Sequence, residues 1–289
     1  MGFYDELASL GFVAKDLREG QSKILCPSCS DTRTKNKHEK CLSISIDGEG
    51  AQWRCHHCDW EGNVWRNTMQ SPFKQKKEKK APKIPDLSEL SEGVVKWFAK
   101  RGISEATLDM AGVESGEAFI GGERKNAIAF VHRDKDGKTI NVKFRTQDKQ
   151  FSQIKDGHRL PYLWNMVDTD QPHLIITEGE VDALTCLEAG LSNVISVPDG
   201  ASDKKLSWID ELNGELNGFK RIVLLTDGDS VGIAMRNELA RRLGRHRCWR
   251  VDWDEGCKDP NDVLIGYGKE RLRELVETAE PWPLKALHE

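Results

Sequence analysis

The sequence predicts a multidomain chain: a small β-rich N-terminal module, an α+β segment, and an α/β unit on a Rossmann-like parallel sheet. Three observations carry this prediction. Two Cys-x-x-Cys pairs, Cys26-Pro-Ser-Cys29 and Cys55-His-His-Cys58, stand near the start of the 289 residues. A run from Ser71 to Pro85 holds six lysines, one glutamate and three prolines, a composition that buries no core and reads as a linker. From His173 onward, short apolar runs of buried-strand type alternate with helix-like stretches, and carboxylates follow directly after the apolar runs. The expected boundaries are 1–68 for the first module, 69–86 for the linker, 87–172 for the α+β segment, and 173–289 for the parallel-sheet unit and C-terminal tail.

In the first module each cysteine pair places two thiolates on one tetrahedral metal. The pairs are separated by about five residues more than the usual fifteen to twenty. The polar excursion from Thr32 to Lys40 accounts for the excess, since Leu42 to Ile46 and Gln52 to Arg54 read as strands paired across Asp47-Gly48-Glu49-Gly50. This is the pattern of a zinc ribbon holding one structural Zn2+ through Cys26, Cys29, Cys55 and Cys58. Disulfides are disfavoured, because neither a signal peptide nor an apolar run of membrane length is present and a reducing cytoplasm is the default. A redox pair would need a thioredoxin-like βαβ pattern nearby, and none is there. Cys41, Cys186, Cys248 and Cys257 nominate no second site by their spacing. His56 and His57 read as exposed polar contacts, and Trp53, Trp60 and Trp65 as a minimal core ahead of base stacking.

The linker's lysines are expected to be solvated, with weak attraction to phosphate backbones as a secondary role. Beyond it, Val94 to Lys100 begins a helix, and Arg101-Gly102-Ile103-Ser104 restarts one through a serine cap. Ala127 to Val131 and Thr139 to Arg145 read as a hairpin across Lys135-Asp136-Gly137. Alternation along Asn141 to Arg145 puts Lys143 and Arg145 on one exposed face and Val142 and Phe144 on the other; Lys149 follows a turn later. The net charge of −4 does not argue for a nucleic-acid partner, although steering depends on local fields.

In the last unit, His173 to Thr177 and Arg221 to Thr226 read as strands, each followed by acids: Glu178 and Asp182 after the first, Asp227 and Asp229 after the second. Glu180 to Gly190 reads as a helix ending at glycine. Ser230 to Leu243 reads as another, with Ile233, Leu239 and Leu243 on one side. Asn193 to Val197 and Cys248 to Trp253 supply further strands, the latter leading to Asp259. Ligands of open parallel sheets bind outside the carboxyl ends of the strands. Several carboxylates gathered there repel unless a cation sits among them, so the pattern predicts a divalent metal shared with substrate phosphates. Helix capping is the alternative, and it suits Asp182 or Asp199 taken singly. Glu180, Asp203 and Asp210 read as solvated surface.

The segments TEGEVDAL (Thr177–Leu184) and LLTDGDSVG (Leu224–Gly232) resemble the two acidic motifs of the Toprim domain. With the ribbon, the basic linker and the basic strand in this order, the chain resembles the primase half of phage-type primase–helicase proteins and, more distantly, bacterial primases. Arg101-Gly102-Ile103-Ser104, the Lys143-Phe144-Arg145 to Lys149 run, Tyr162-Leu163-Trp164-Asn165 and Cys257-Lys258-Asp259 follow that family's order. The resemblance implies a Toprim RNA polymerase domain, with 87–172 as its basic N-terminal subdomain, making short RNA primers on single-stranded DNA from ribonucleoside triphosphates. It implies that Glu178, Asp227 and Asp229 bind one or two Mg2+ or Mn2+ ions, with Asp182 and Asp259 in supporting or ligand roles and Glu178 as a ligand or a general base. Arg101, Lys143, Arg145 and Lys149 would hold the nucleotide or the primer–template. Asp47, Glu49, Gln52, Trp53 and Arg54 of the ribbon would read the template initiation sequence. The chain departs from the phage pattern in lacking a histidine shortly before the second cysteine pair, which leaves the recognised trinucleotide open.

Further implied partners are a replicative helicase, fused or separate, and a DNA polymerase, with the host cytoplasm as location if the chain is phage-encoded. There is no Gly-x-x-x-x-Gly-Lys-Ser/Thr, so no P-loop motor lies within these residues, and monomers are expected without one. Glu280-Pro281-Trp282-Pro283 resembles the start of that family's interdomain linker. A Toprim nuclease and a recombination-mediator-like DNA-binding module are the alternative activities. A type IA topoisomerase would need an arch domain around its nucleophilic tyrosine, for which little sequence remains.

Overall fold

The computed structural model describes residues 3–31, 33, 36–48, 50–58, 60–66, 81–200 and 206–283. Contacts divide the chain into two compact units, residues 1–79 and 80–289. Most of the predicted basic linker, together with Glu49 and Asp203, lies outside the described residues.

In the first unit, helix α1 (Phe3–Ser9) precedes four strands: β1 (Gly20–Ile24), β2 (Leu42–Ile46), β3 (Gly50–Cys55) and β4 (Glu61–Trp65). They form one antiparallel sheet in sequence order. The β2–β3 hairpin follows the sequence expectation, and the Asp47 carboxylate closes its turn by accepting from the Gly50 N–H at 3.0 Å. Period-two burial turns Leu42, Ile44, Ile46, Trp53, Cys55 and Val64 inward, where Leu7 of α1 and Phe12 complete the core. Phe12 meets the rings of Trp53 and Trp60 at 4.9 and 5.5 Å. Trp53 is therefore core, 6 % exposed, which corrects its reading as a base contact.

The second unit opens with β5 (Leu87–Ser88), α2 (Glu92–Ala99) and α3 (Glu105–Met110), the two helices capped by Ser91 and Ser104. An antiparallel sheet follows: β6 (Val113–Ile120), β7 (Glu123–Arg133), β8 (Thr139–Arg145) and β9 (Phe151–Gln153), with β5 at its other edge. The chain continues through β10 (His173–Thr177), α4 (Glu180–Glu188), β11 (Val194–Ser196), α5 (Ser207–Glu211), α6 (Asn213–Leu216), β12 (Arg221–Leu225) and α7 (Ser230–Leu243). It ends with β13 (Cys248–Arg250), α8 (Pro260–Glu277) and β14 (Glu280–Pro281).

These last strands form a mixed sheet in the order β11-β10-β12-β13-β14, parallel except for β14. Alternation splits its side chains cleanly. Ile175, Val223 and Leu225 pack with α3, α4 and α8 on one face, while Leu174, Ile176, Ile222 and Leu224 pack with α5, α6 and α7 on the other. On α7 the inward residues are Met235, Leu239 and Leu243; Ile233 is 40 % exposed, because 100° per residue carries it away from the stripe that Leu239 and Leu243 share. Glu280-Pro281, expected as the start of a linker, instead pairs with Trp249 and Arg250 as an edge strand. Among the described residues no helix is long and apolar enough to cross a membrane.

One carboxylate ties the two halves of this unit together. Glu188 Oε2 accepts from the Ser104 N–H at 2.9 Å, Ser104 Oγ at 2.7 Å and Thr107 Oγ1 at 2.5 Å, and Oε1 accepts from Lys269 Nζ at 2.6 Å. Burial pushes this carboxyl up, but the bonds from Lys269, Ser104 and Thr107 outweigh it and hold it at about 2. A depressed carboxylate stabilises the fold above its unfolded value near 4.5, and that stability is lost as pH falls from there through about 2. Glu188→Gln is expected to cost roughly 2 kcal/mol at pH 7. Urea unfolding at pH 7 and at pH 3 checks this, since the gap between parent and variant narrows at the lower pH.

Candidate active site and metal ligands

Strands β10 and β12 are neighbours, and from them the chain winds in opposite directions, to β11 on one side and β13 on the other. The crevice at their carboxyl ends is the topological switch point, where α/β sheets bind ligands. Glu178 follows β10 and Asp227 follows β12, so the two acids the sequence singled out meet there. Glu178 Oε2 accepts from the Asp227 N–H at 3.3 Å. The Asp227-Gly228-Asp229 turn is braced from behind: the Gly228 N–H donates to Lys258 O at 2.8 Å and Trp253 Nε1 to Thr226 O at 3.1 Å, which brings Asp259 alongside. Gly232 closes the motif because a Cβ there would lie 2.3 Å from Asp227 O.

The acids sense one another. Burial first, then the Asp227, Asp229 and Asp259 carboxylates, push Glu178 up to about 7. Burial, then Asp259 and Asp229, push Asp227 up to about 6. Asp182 is raised well above the usual range by burial, then by Asp259, Asp227 and Glu178, and burial raises Asp259. Three of the five also cap helices. Asp229 Oδ1 accepts from the Val231 and Gly232 N–H groups, both at 2.9 Å; Asp182 Oδ2 accepts from the Gly179 N–H at 3.2 Å; Asp259 Oδ1 accepts from the Asp262 N–H at 2.8 Å. Capping and metal binding are therefore not exclusive alternatives here, since each cap engages one oxygen of two.

The basic residues lie differently from expectation. Lys143 and Arg145 are 5 % and 8 % exposed, because their face of β8, shared with Ile128 and Phe130 of β7, turns into the unit. Lys143 Nζ donates to Glu180 Oε1 at 2.6 Å, and Glu180 is 3 % exposed rather than solvated surface. Its place at the first turn of α4, two residues beyond Glu178, was the signal available in the sequence. Behind this pair lies His132, fully buried, with Nδ1 against Leu160 O at 3.0 Å; burial lowers it to about 4. Arg101 and Arg145 both lie over Trp97, at 3.4 and 4.7 Å from the ring, an arrangement sequence reading missed. Burial lowers the Arg145 pKa, as does Arg101, while Glu180 and Asp182 act in the opposite direction. Lys149 stands apart in the exposed turn between β8 and β9, at φ 61°. Tyr162, Leu163 and Trp164 are all core.

In the first unit the sulfurs of Cys26, Cys29, Cys55 and Cys58 lie within 4.8 Å of one another, with Cys26–Cys58 and Cys29–Cys55 both at 3.8 Å. Four thiolates ~2.3 Å from a central Zn2+ stand ~3.8 Å apart along tetrahedral edges, so the quartet fits zinc. Cys41 Sγ lies 3.5 Å from Cys55 Sγ, outside the quartet. His56 is exposed and meets Ser43 Oγ at 3.0 Å. Among the described residues no carboxylate group converges as tightly as these thiols. That looser spacing suits Mg2+, which keeps several waters and takes one or two carboxylates together with substrate phosphates.

The sheet with acids at its switch point is that of a Toprim protein, and the Toprim-like family profile matches residues 175–264. The chain is 32 % identical over 306 residues to the primase homolog protein of Arabidopsis thaliana, covering 97 % of this chain and 88 % of that one. It belongs to this primase family. It is 35 % identical to the Twinkle homolog protein, chloroplastic/mitochondrial, of the same plant, over 98 % of this chain but only 42 % of the relative's length. Its fold is similar to that of the bacteriophage T7 primase domain in a complex of lagging-strand DNA polymerase with an RNA/DNA hybrid and dTTP. There the TM-score is 0.55 and the identity 26 %, over 68 % of this chain and 94 % of that one.

Proposed function

We infer that this chain is a DNA primase, a DNA-directed RNA polymerase that makes short RNA primers on single-stranded DNA by metal-dependent nucleotidyl transfer. The observation that carries this reading is the meeting of Glu178 and Asp227 at one switch point, in a cluster whose Asp182 acts electrostatically on Arg145, one of two guanidinium groups over Trp97. Glu178, Asp227 and the second oxygen of Asp229 would hold one or two Mg2+ or Mn2+ ions, with Asp182 and Asp259 in support. A divalent ion held by these carboxylates would supply charge neutralisation for the triphosphate, whose α-phosphorus is attacked by a 3′-hydroxyl as pyrophosphate leaves. Arg145 and Arg101 bind the triphosphate; both lie over Trp97, which limits the freedom each loses on binding. Lys143, already paired with Glu180, positions the first turn of α4 and through it Glu178 and Asp182. Lys149, exposed in the turn between β8 and β9, would meet the primer–template through its charge. Glu178 would serve as a ligand or a general base; burial and the neighbouring carboxylates push it up to about 7 in the metal-free chain, and a bound cation would bring it back down.

The ribbon carries one structural Zn2+ on its four thiolates, which suits a reducing compartment such as a cytoplasm, and reads the template. Gln52 and Arg54 face solvent for that task, with Asp47 shaping the turn. A replicative helicase and a DNA polymerase are the partners, the polymerase as in the phage complex. Metal analysis is expected to find one zinc per chain. Chelation should expose the four ligand thiols to a thiol reagent while buried Cys186 stays protected. Ribonucleotide incorporation on single-stranded DNA covering all template triplets, with and without Mg2+ or Mn2+, tests the whole reading. Incorporation only with the divalent ion is expected; none on any template with zinc in place would overturn it.

A further inference from the structure

One thiol of the ribbon stands beside the metal quartet without belonging to it. Cys41 follows the polar excursion and directly precedes β2. The His56 N–H donates to Cys41 O at 2.8 Å, which carries the β2–β3 ladder one rung past the Leu42 and Cys55 pair. Cys41 and Cys55 are therefore one rung out of step on neighbouring strands, with Cα atoms ~6 Å apart for a strand spacing of ~4.8 Å and a rise of ~3.4 Å. Their sulfurs meet at 3.5 Å, closer than the 3.8 Å of Cys26–Cys58 or of Cys29–Cys55. Cys41 is 8 % exposed and Cys55 fully buried, whereas Cys58 is open to solvent.

We propose that Cys41 is a positioning residue of the zinc centre: its thiol donates to the Cys55 sulfur, holds that sulfur toward the metal as a thiolate, and so strengthens zinc binding. This rests on the zinc reading of the quartet. Four thiolates carry two more negative charges than one Zn2+ cancels, and buried charge needs donors. Water can supply them to exposed Cys58. Buried Cys55 receives instead the His57 N–H at 3.3 Å and the Cys41 thiol. A metal-bound Cys55 has no proton to give, so in that contact Cys41 is the donor. Donors behind a metal ligand fix its orientation, and removing one costs on the order of ten- to a hundredfold in metal affinity. A thiol is a weak donor and belongs at the lower end of that range. The other role of a buried cysteine is to fill the core as a small apolar group, and that role depends on volume alone.

The test compares three variants of the full chain: Cys41→Ser, which keeps a hydroxyl donor, and Cys41→Ala and Cys41→Val, which have none and are respectively smaller and larger than the parent residue. Zinc affinity is read by competition with a chromogenic chelator. Cys41→Ala and Cys41→Val are both expected to bind zinc about tenfold more weakly than the parent, and Cys41→Ser to recover most of that loss. Loading with Co2+ in place of zinc gives a second readout. Loss of the hydrogen bond makes the Cys55 sulfur a stronger electron donor, so the sulfur-to-cobalt charge-transfer absorption should move to longer wavelength in Cys41→Ala and Cys41→Val and stay near the parental position in Cys41→Ser. Parental affinity and absorption in either donor-free variant overturn the proposal and leave Cys41 as core filler. A Cys41→Ser variant that falls with the other two on both readouts overturns it as well. A parent that binds neither metal overturns the zinc reading, and this proposal with it.

Discussion

Asp227→Asn is expected to abolish primer synthesis, by on the order of 10²–10³-fold or more, while raising the melting temperature of the metal-free protein. Both effects come from one cause. Burial and neighbouring carboxylates push Asp227 up to about 6, so the folded chain retains a proton that the unfolded chain releases near 3.8. For an acid raised on folding, stability falls as pH climbs from about 4 to about 6 and stays reduced above that. The asparagine carries no such penalty. Because Asp227 is partly exposed, solvent screening leaves a gain of roughly 1 kcal/mol at pH 8. Mg2+ should stabilise the parent by mass action and the variant much less. Melting curves at pH 8 in chelator and in Mg2+, beside incorporation assays, check this; a variant that stays active, or that melts below the parent in chelator, contradicts the assignment.

The largest loss of stability is expected at the Lys143–Glu180 pair. Both side chains are under 8 % exposed and bonded at 2.6 Å, so Lys143→Met leaves a carboxylate in the interior without its cation. Removing one partner of a buried pair costs about 3–5 kcal/mol, whereas replacing both by apolar groups of similar volume is close to neutral. Lys143→Met and Glu180→Leu should each lower the urea midpoint strongly, and the double variant should recover most of it. Simple additivity of the two losses in a double-mutant cycle would show that the residues act separately. Recovery of stability without recovery of synthesis would separate the tie between β8 and α4 from the placement of Glu178 that it secures.

The parts of this molecule legible in the sequence are those whose signal is local. The cysteine spacings, the β2–β3 hairpin, the serine cap of α3, and the strands before Glu178 and Asp227 all stand as expected, because each is written in consecutive residues. Strands β1 and β4 were missed because Gly20–Ile24 and Glu61–Trp65 have only one fully buried apolar residue each, Ile24 and Val64. The buried placement of Lys143 and Arg145 was not readable, since period-two alternation says which residues share a face but not what covers it. Glu180 was misread for the same reason: its partner lies 37 residues upstream on a different sheet. The stacking of Arg101 and Arg145 on Trp97 joins α2, the turn after it and β8, and no sequence window contains all three. Asp229, expected from the resemblance as a metal ligand beside Glu178 and Asp227, is also the cap of α7, because a motif ending in the helix's first turn can serve both roles at once.

Strand β14 has a consequence for how this protein behaves in a tube. It lies antiparallel along β13, with the Trp282 N–H donating to Cys248 O at 2.8 Å. Without it, β13 would offer an open row of amide and carbonyl groups, which is the template for one molecule to add its edge to another. Pro281, lacking an N–H, ends that ladder on its outer side. A fragment cut at Ala279 would keep every acidic and basic residue of the candidate site, yet carry an adhesive margin. Its failure would register as turbidity rather than as lost chemistry.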